Sequence, residues 1–264
     1  MSVQELTERI IARKEGAVGW LIFNNPERRN AVSIDMWEAI PRVLDDFEAD
    51  PQVRVIVLAG SGDKAFVSGA DISQFEKQRS SEDAVQRYEE LAESAQARLQ
   101  GCDKPLIAMI RGYCLGGGLN IAVLCDLRIA AEDARFGIPA AKMGLGYRAS
   151  SMKNLVDTVG APYAREIMIT GRQFTAAEAK EMGLVHKVTT KENLEKELEE
   201  TCDVISANAP LTMRAAKRII REIVKTPYDA AKCKAWVKEC FESEDYKEGR
   251  KAFMEKRKPA FKGR

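Results

Sequence analysis

The chain holds 264 residues, enough for one large α/β domain or a core with an appendage, and 45% of them are hydrophobic. Lys+Arg 41 against Asp+Glu 40 leaves a formal charge of +1, which argues against a dedicated nucleic-acid binder. No apolar run approaches the ~20 residues of a membrane span, and one histidine, His186, excludes a histidine-rich metal site.

The opening stretch MSVQELTERIIARKEGAVGW mixes acids and bases and lacks the apolar core of a secretory signal. Strands are predicted at 18–24, 53–60, 106–112, 126–132 and 184–188, all short apolar runs. Helical periodicity marks 33–48, 82–101, 117–125, 150–169 and 175–182. This alternation predicts an α/β fold with mostly parallel pairing.

Beyond about residue 190 the pattern is almost all helical, with Pro210 and Pro227 at boundaries. Residues 1–190 therefore read as the core and 191–264 as a helical lid or oligomerisation region. The basic ending KAFMEKRKPAFKGR reads either as a solvated end or as counter-charge for a polyanionic ligand. Cys102, Cys114, Cys125, Cys202, Cys233 and Cys240 form no CxxC pair, which predicts reduced thiols and a cytoplasmic setting. His186 follows a helix-end glycine and reads as a structural or surface residue.

Two stretches carry the candidate chemistry. In 112-GYCLGGGLNIAVLCD-126 three glycines run into a helix whose first amides lack partners. With the helix dipole, such a place suits an anion, or a carbonyl oxygen that becomes one; the alternative is a tight packing turn. In 65-AFVSGADISQF-75, Gly69 and Ala70 again offer bare backbone, and Asp71 is placed to cap a following helix. Two such loops predict a two-donor hole for a thioester enolate or a tetrahedral intermediate, each donor supplying ~3–4 kcal/mol in the transition state.

FVSGADI and GYCLGGG together resemble the motifs of the crotonase superfamily, also called the enoyl-CoA hydratase/isomerase family. The likeness extends through 22-IFNNPERRNAVS-33, 126-DLRIAAEDARFGIPAAKMGLG-146, 171-GRQFTAAEAKEMGLVHKV-188 and 247-KEGRKAFMEKRKPAFKGR-264. The resemblance implies a spiral of ββα units with a helical C-terminal trimerisation region, assembled as a homotrimer or as a homohexamer of two trimers. It implies an acyl-CoA substrate, its thioester oxygen held by the amides of Ala70 and Gly117, with no metal and no cofactor beyond the coenzyme A moiety. Phe66, Ser68, Gly69, Asp71 and Ile72 would border the adenine, and the turn carrying Arg29 and Ala31 would lie near the CoA chain. Arg29, Lys256 and Lys258 would neighbour the phosphates, the two lysines from across a subunit interface.

Hydratases of this family use two glutamates to move protons between water and the α-carbon. The matching positions here are Asn120 and Ala140, so both acids are absent. Decarboxylation of a carboxyacyl-CoA fits that change, because loss of CO2 leaves the enolate without any proton being abstracted. A glutamate would instead repel the leaving carboxylate by about 4 kcal/mol at ~4 Å and an effective dielectric near ~20.

The turn 143-MGLGYRASSMKNL-155 resembles that of methylmalonyl-CoA decarboxylases, with a tyrosine at the position of Tyr147. Those enzymes carry histidine where this chain has Ala70. Tyr147 would orient a carboxylate or protonate the enolate, or else be a buried ring with a satisfied hydroxyl. Arg148, whose position carries an aspartate in chlorobenzoyl-CoA dehalogenases, would pair with a carboxylate or form a surface ion pair. Three readings follow: an acyl-CoA lyase such as a carboxyacyl-CoA decarboxylase, a hydratase or isomerase with its acid and base moved to Tyr147 or Asp71, and a non-catalytic acyl-CoA-binding protein.

Overall fold

The computed structural model describes residues 7–71, 82–225 and 227–264. Strand β1 (Ile10–Glu15) pairs antiparallel with β2 (Val18–Phe23), matching Ile10 with Phe23 and Glu15 with Val18. On β2 the sheet continues in parallel through β3 (Val55–Gly60), β5 (Leu106–Ile110), β7 (Leu127–Ala131) and β10 (Lys187–Thr189). A second, smaller sheet lines up β4 (Ala65–Val67), β6 (Tyr113–Leu115), β8 (Arg135–Gly137) and β9 (Phe174–Thr175) in that order.

The two sheets are filled alternately. β3 enters the large sheet, β4 the small one, and helix α2 (Glu82–Gly101) follows; α1 (Ile34–Ala49) precedes them. The same step recurs as β5, β6 and α3 (Gly117–Leu124), then as β7, β8 and α4 (Ala149–Thr170). This is a spiral of ββα units. Each loop between a small-sheet strand and its helix therefore falls on the same side of the molecule.

The central strands read as unbroken apolar runs because both faces are covered. On one face Phe23, Ile56, Leu58 and Phe66 pack with Met36, Ile40, Leu44 and Phe47 of α1. On the other, Val55, Val57, Ile107 and Ile129 meet Leu194, Leu198 and Cys202 of a helix at Leu194–Ser206, numbered α6 after the short α5 (Ala176–Glu181). The first helix of the all-helical segment beyond residue 190 is thus packed on the core sheet. The helices α7 (Pro210–Ile223), α8 (Ala230–Glu242) and α9 (Glu244–Met254) complete the chain.

Three expectations change. β1 was not expected, because its exposed edge carries Arg13, Lys14 and Glu15, charges that keep an edge strand from pairing further. The strand expected at 184–188 lies at 187–189, since Leu184 and Val185 are buried before it begins. β4, β6 and β8 span three residues each, too few for a period of two to register.

All six cysteines are free, and burial pushes the Cys102 thiol up to about 12. His186 is structural: its Nδ1 accepts the Arg128 N–H at 3.1 Å, and burial holds its pKa below the ordinary value. Among the described residues no helix is long and apolar enough to cross a membrane, and no cluster of side chains is placed to hold a metal.

Candidate functional site

Residues 68–71 are stitched to the turn at 28–32. Ser68 donates its N–H to the Arg29 carbonyl at 3.1 Å and its hydroxyl to the Arg28 carbonyl at 3.3 Å. Val32 donates to the Gly69 carbonyl at 2.8 Å, and Asp71 to the Val32 carbonyl at 3.0 Å. A parallel bridge of this form uses the groups either side of Ala70 and turns the Ala70 N–H away from it. Gly69 has φ +117°, which a side chain would resist.

The second amide comes from the glycine run. Gly116 precedes α3 and donates to the Gly137 carbonyl at 2.8 Å, so Gly117 becomes the first helical residue. A Cβ on Gly118 would stand 2.1 Å from the Val67 carbonyl oxygen, so only glycine lets α3 lie against β4. That approach brings the two loops together. A Cβ built on Gly117 would be 4.0 Å from the Ala70 nitrogen, and one built on Gly69 would be 4.0 Å from the Gly117 nitrogen. Neither N–H donates to a group among the described residues. Two unpaired amides therefore flank one space lined by bare backbone, the arrangement suited to a developing negative oxygen.

One turn into α3, Asn120 is buried and donates from Nδ2 to the Tyr147 hydroxyl oxygen at 2.9 Å. The other amide atom, Oδ1, is buried without a partner among the described residues, leaving an acceptor for a bound molecule. Burial pushes the Tyr147 phenol up to about 12, with the Asn120 N–H opposing. The phenol is therefore protonated at neutral pH. Because its oxygen accepts from Asn120, its own proton is free to be donated. Ala140, in the short helical turn Pro139–Met143, is also buried. Asn120, Ala140 and Tyr147 make this part of the site uncharged.

Arg148 does not reach toward a ligand. Its guanidinium meets Glu89 at 2.8 Å and Glu93 at 2.7 Å, both on α2, which is the ion-pair reading of that residue. Asp71 is buried and pairs with Arg28 at 3.6 Å. Phe66 is a correction: the residue is wholly buried, its ring edge-on to Phe23 with centroids 5.8 Å apart, so it presents no surface to a ligand. Ala31 is buried too. Arg29, in a left-handed turn, lays its guanidinium 5.0 Å over the Tyr113 ring. Ile72 lies outside the described residues.

Lys256 and Lys258 are exposed on the segment after α9. That segment is tied down by Arg54, which donates to the Phe261 carbonyl, and by Asp245, which accepts the Lys262 and Gly263 amides. No contact among the described residues joins either lysine to the Ala70 and Gly117 loops.

Asn30 is a residue the sequence reading overlooked. Fully buried, it donates to the Ser61 and Ala65 carbonyls at 3.0 and 2.8 Å and accepts the Asn25 amide at 2.9 Å. It thereby anchors the turn that holds the Ala70 loop. The signal available in the sequence was the residue type, since asparagine tolerates the left-handed conformation that its φ of +56° shows here.

Known proteins resemble this chain from end to end. A family model described as Enoyl-CoA hydratase/isomerase matches residues 13–264. The short-chain-enoyl-CoA hydratase of Clostridium acetobutylicum is 35% identical over 259 residues, 97% of this chain and 98% of that protein. The crotonyl-CoA hydratase of Syntrophomonas wolfei is 35% identical over 257 residues, 96% of this chain and 98% of its own. A crystal structure of an enoyl-CoA hydratase/carnithine racemase from Magnetospirillum magneticum matches with TM-score 0.92 at 32% identity, covering 98% of this chain and 97% of the other. Such coverage on both sides makes the likeness one of whole chains.

Proposed function

The chain belongs to the enoyl-CoA hydratase/isomerase family, and from that premise we propose that it is an acyl-CoA lyase that decarboxylates a carboxyacyl-CoA. The observation that carries this reading is the uncharged pair of buried Asn120, on the helix that begins with the unpaired Gly117 amide, and half-buried Tyr147. The site has electrophilic help for a thioester oxygen and a proton to give, and no carboxylate at Asn120 or Ala140 to take one.

The thioester oxygen accepts the N–H groups of Ala70 and Gly117. The bond between the α-carbon and the carboxyl carbon breaks, CO2 departs, and the electron pair moves onto the thioester as an enolate. That oxyanion is held by the same two amides, whose grip tightens as charge develops. The enolate pair then forms a C–H bond with the Tyr147 hydroxyl proton, and the phenolate regains a proton from water. One carboxyacyl-CoA anion and one proton become CO2 and an acyl-CoA. Arg29 lies beside the CoA phosphates, and Lys256 and Lys258 serve a neighbouring subunit's ligand in an assembly of trimers. Exposed Ile220, Phe241, Phe253 and Met254 give α7–α9 the apolar surface such an assembly needs.

A hydratase reading has one observation in its favour, the names of the relatives. It requires a base, and a phenol at about 12 is protonated at neutral pH while Asp71 is engaged by Arg28. Tyr147→Phe tests the proton donor. In D2O, the wild-type protein is expected to place a single deuteron on the α-carbon with one handedness. The variant is expected to lose about 10²-fold in turnover and to give a mixture of hands, read by NMR of the product. Unchanged turnover and handedness would remove Tyr147 from the mechanism.

A further inference from the structure

Tyr147 sits in an unusual place for a proton donor. Residues 141–146 before it are exposed, and a Cβ on Gly144 or Gly146 would meet nothing within 4 Å. Packing alone does not hold this turn. Its fixed points are the Gly144 and Leu145 amides, which both donate to the Ala140 carbonyl, the Tyr147 ring packed on the core, and the start of α4 at Arg148.

Arg148 occupies the cap position of α4 but spends its side chain elsewhere. Its two terminal nitrogens engage Glu89 and Glu93 separately, at 2.8 and 2.7 Å, and Nη1 also donates to the Glu89 carbonyl at 3.3 Å. Residues four apart share one face of a helix, so the forked guanidinium spans two carboxylates that a single ammonium would not. The pairs are about a third exposed on the arginine side, where such contacts add little to stability. Their consequence is geometric.

The contacts close a ring. The Ala70 loop pairs with Val32, and the Val32 carbonyl accepts the Tyr88 hydroxyl at 3.5 Å. Glu89, next to Tyr88, holds Arg148, which adjoins Tyr147. Tyr147 accepts from Asn120, one turn along the helix that begins at Gly117. The guanidinium thus closes the link from the Ala70 loop to the phenol, which Asn120 joins to the Gly117 helix.

We propose that Arg148 is a positioning residue, its clamp on Glu89 and Glu93 holding the Tyr147 hydroxyl on Asn120 in register with the two amides. The inference rests on the reading of Tyr147 as proton donor, and it has a test that does not depend on turnover. Tyr147 is titrated by ultraviolet absorbance, its signal isolated by subtracting Tyr147→Phe. In Arg148→Met the turn loosens, water reaches the ring, and the phenol is expected to fall from about 12 toward the ordinary value near ~10. Turnover of methylmalonyl-CoA is expected to drop about tenfold with KM little changed, and Arg148→Lys is expected to recover part of both.

A folded Arg148→Met protein whose Tyr147 titrates as in the wild type would overturn the proposal. Should Arg148→Met not fold, the double variant Glu89→Gln, Glu93→Gln releases the clamp from α2 and is judged by the same titration. If the wild type releases no CO2 from a carboxyacyl-CoA, the lyase reading fails while the titration still decides the clamp.

Discussion

Asn120→Glu is expected to lower kcat/KM for methylmalonyl-CoA by about 10³-fold. Asn120 is only 7% exposed, so a glutamate there would bring a carboxylate into the buried part of the site. Two like charges ~4 Å apart repel by about 4 kcal/mol at an effective dielectric near ~20, and each ~1.4 kcal/mol is a factor of ten. The new carboxylate would also accept the Tyr147 proton that the α-carbon needs. Asn120→Leu separates charge from hydrogen bonding. It removes the N–H given to Tyr147 and the unpartnered Oδ1, both neutral groups whose hydrogen bonds contribute about 1 kcal/mol each, so its loss should be roughly ten- to thirtyfold. Steady-state kinetics on the three proteins decides the matter. Equal losses in the glutamate and leucine variants would show that repulsion is not what the neutral residue avoids.

Gly117→Pro is expected to cost about 10²–10³-fold in kcat, the usual effect of deleting one donor to an oxyanion. Proline removes the N–H and nothing else that the helix uses, because the first helical amide has no partner within the helix. The residue before it is Gly116 at φ 54°, ψ −118°, the mirror image of the extended region that precedes proline. Glycine is achiral and accepts that mirror image freely. A Cβ at 117 would meet no atom closer than 3.9 Å, and the proline Cδ takes the direction of the lost N–H, so the oxyanion loses both its donor and room beside it. The variant should therefore keep its thermal midpoint while losing turnover. Full activity in a folded Gly117→Pro protein would mean that the thioester oxygen does not rest on this amide.

The parts legible in the sequence are those whose physics is local. The strands at 55–60 and 106–110 are unbroken apolar runs because each is buried on both faces, and that condition shows in composition. The turn at 116–118 was legible because a glycine at a close approach cannot be replaced, as the contact between Gly118 and Val67 illustrates. What could not be read depends on partners far along the chain. Asn120 and Tyr147 were each visible as neutral candidates, yet their hydrogen bond spans 27 positions and exists only because the 143–147 turn folds over α3. Glu89 and Glu93 look like any solvated helix face until Arg148 arrives. Phe66 erred in the opposite direction: it shares a motif with Gly69 and Ala70, but Ala65, Phe66 and Val67 are all buried in β4, which puts that ring in the core.

The proposed lyase stabilises an enolate without a carboxylate base to make one. The most direct measurement incubates it with crotonyl-CoA and methylmalonyl-CoA together and follows both by mass spectrometry. Loss of CO2 from methylmalonyl-CoA, with crotonyl-CoA left intact, is the predicted result. Addition of water to crotonyl-CoA while methylmalonyl-CoA persists would contradict it and make the protein a hydratase with a relocated base. No change in either would contradict it as well, leaving a binder of acyl-CoA without turnover.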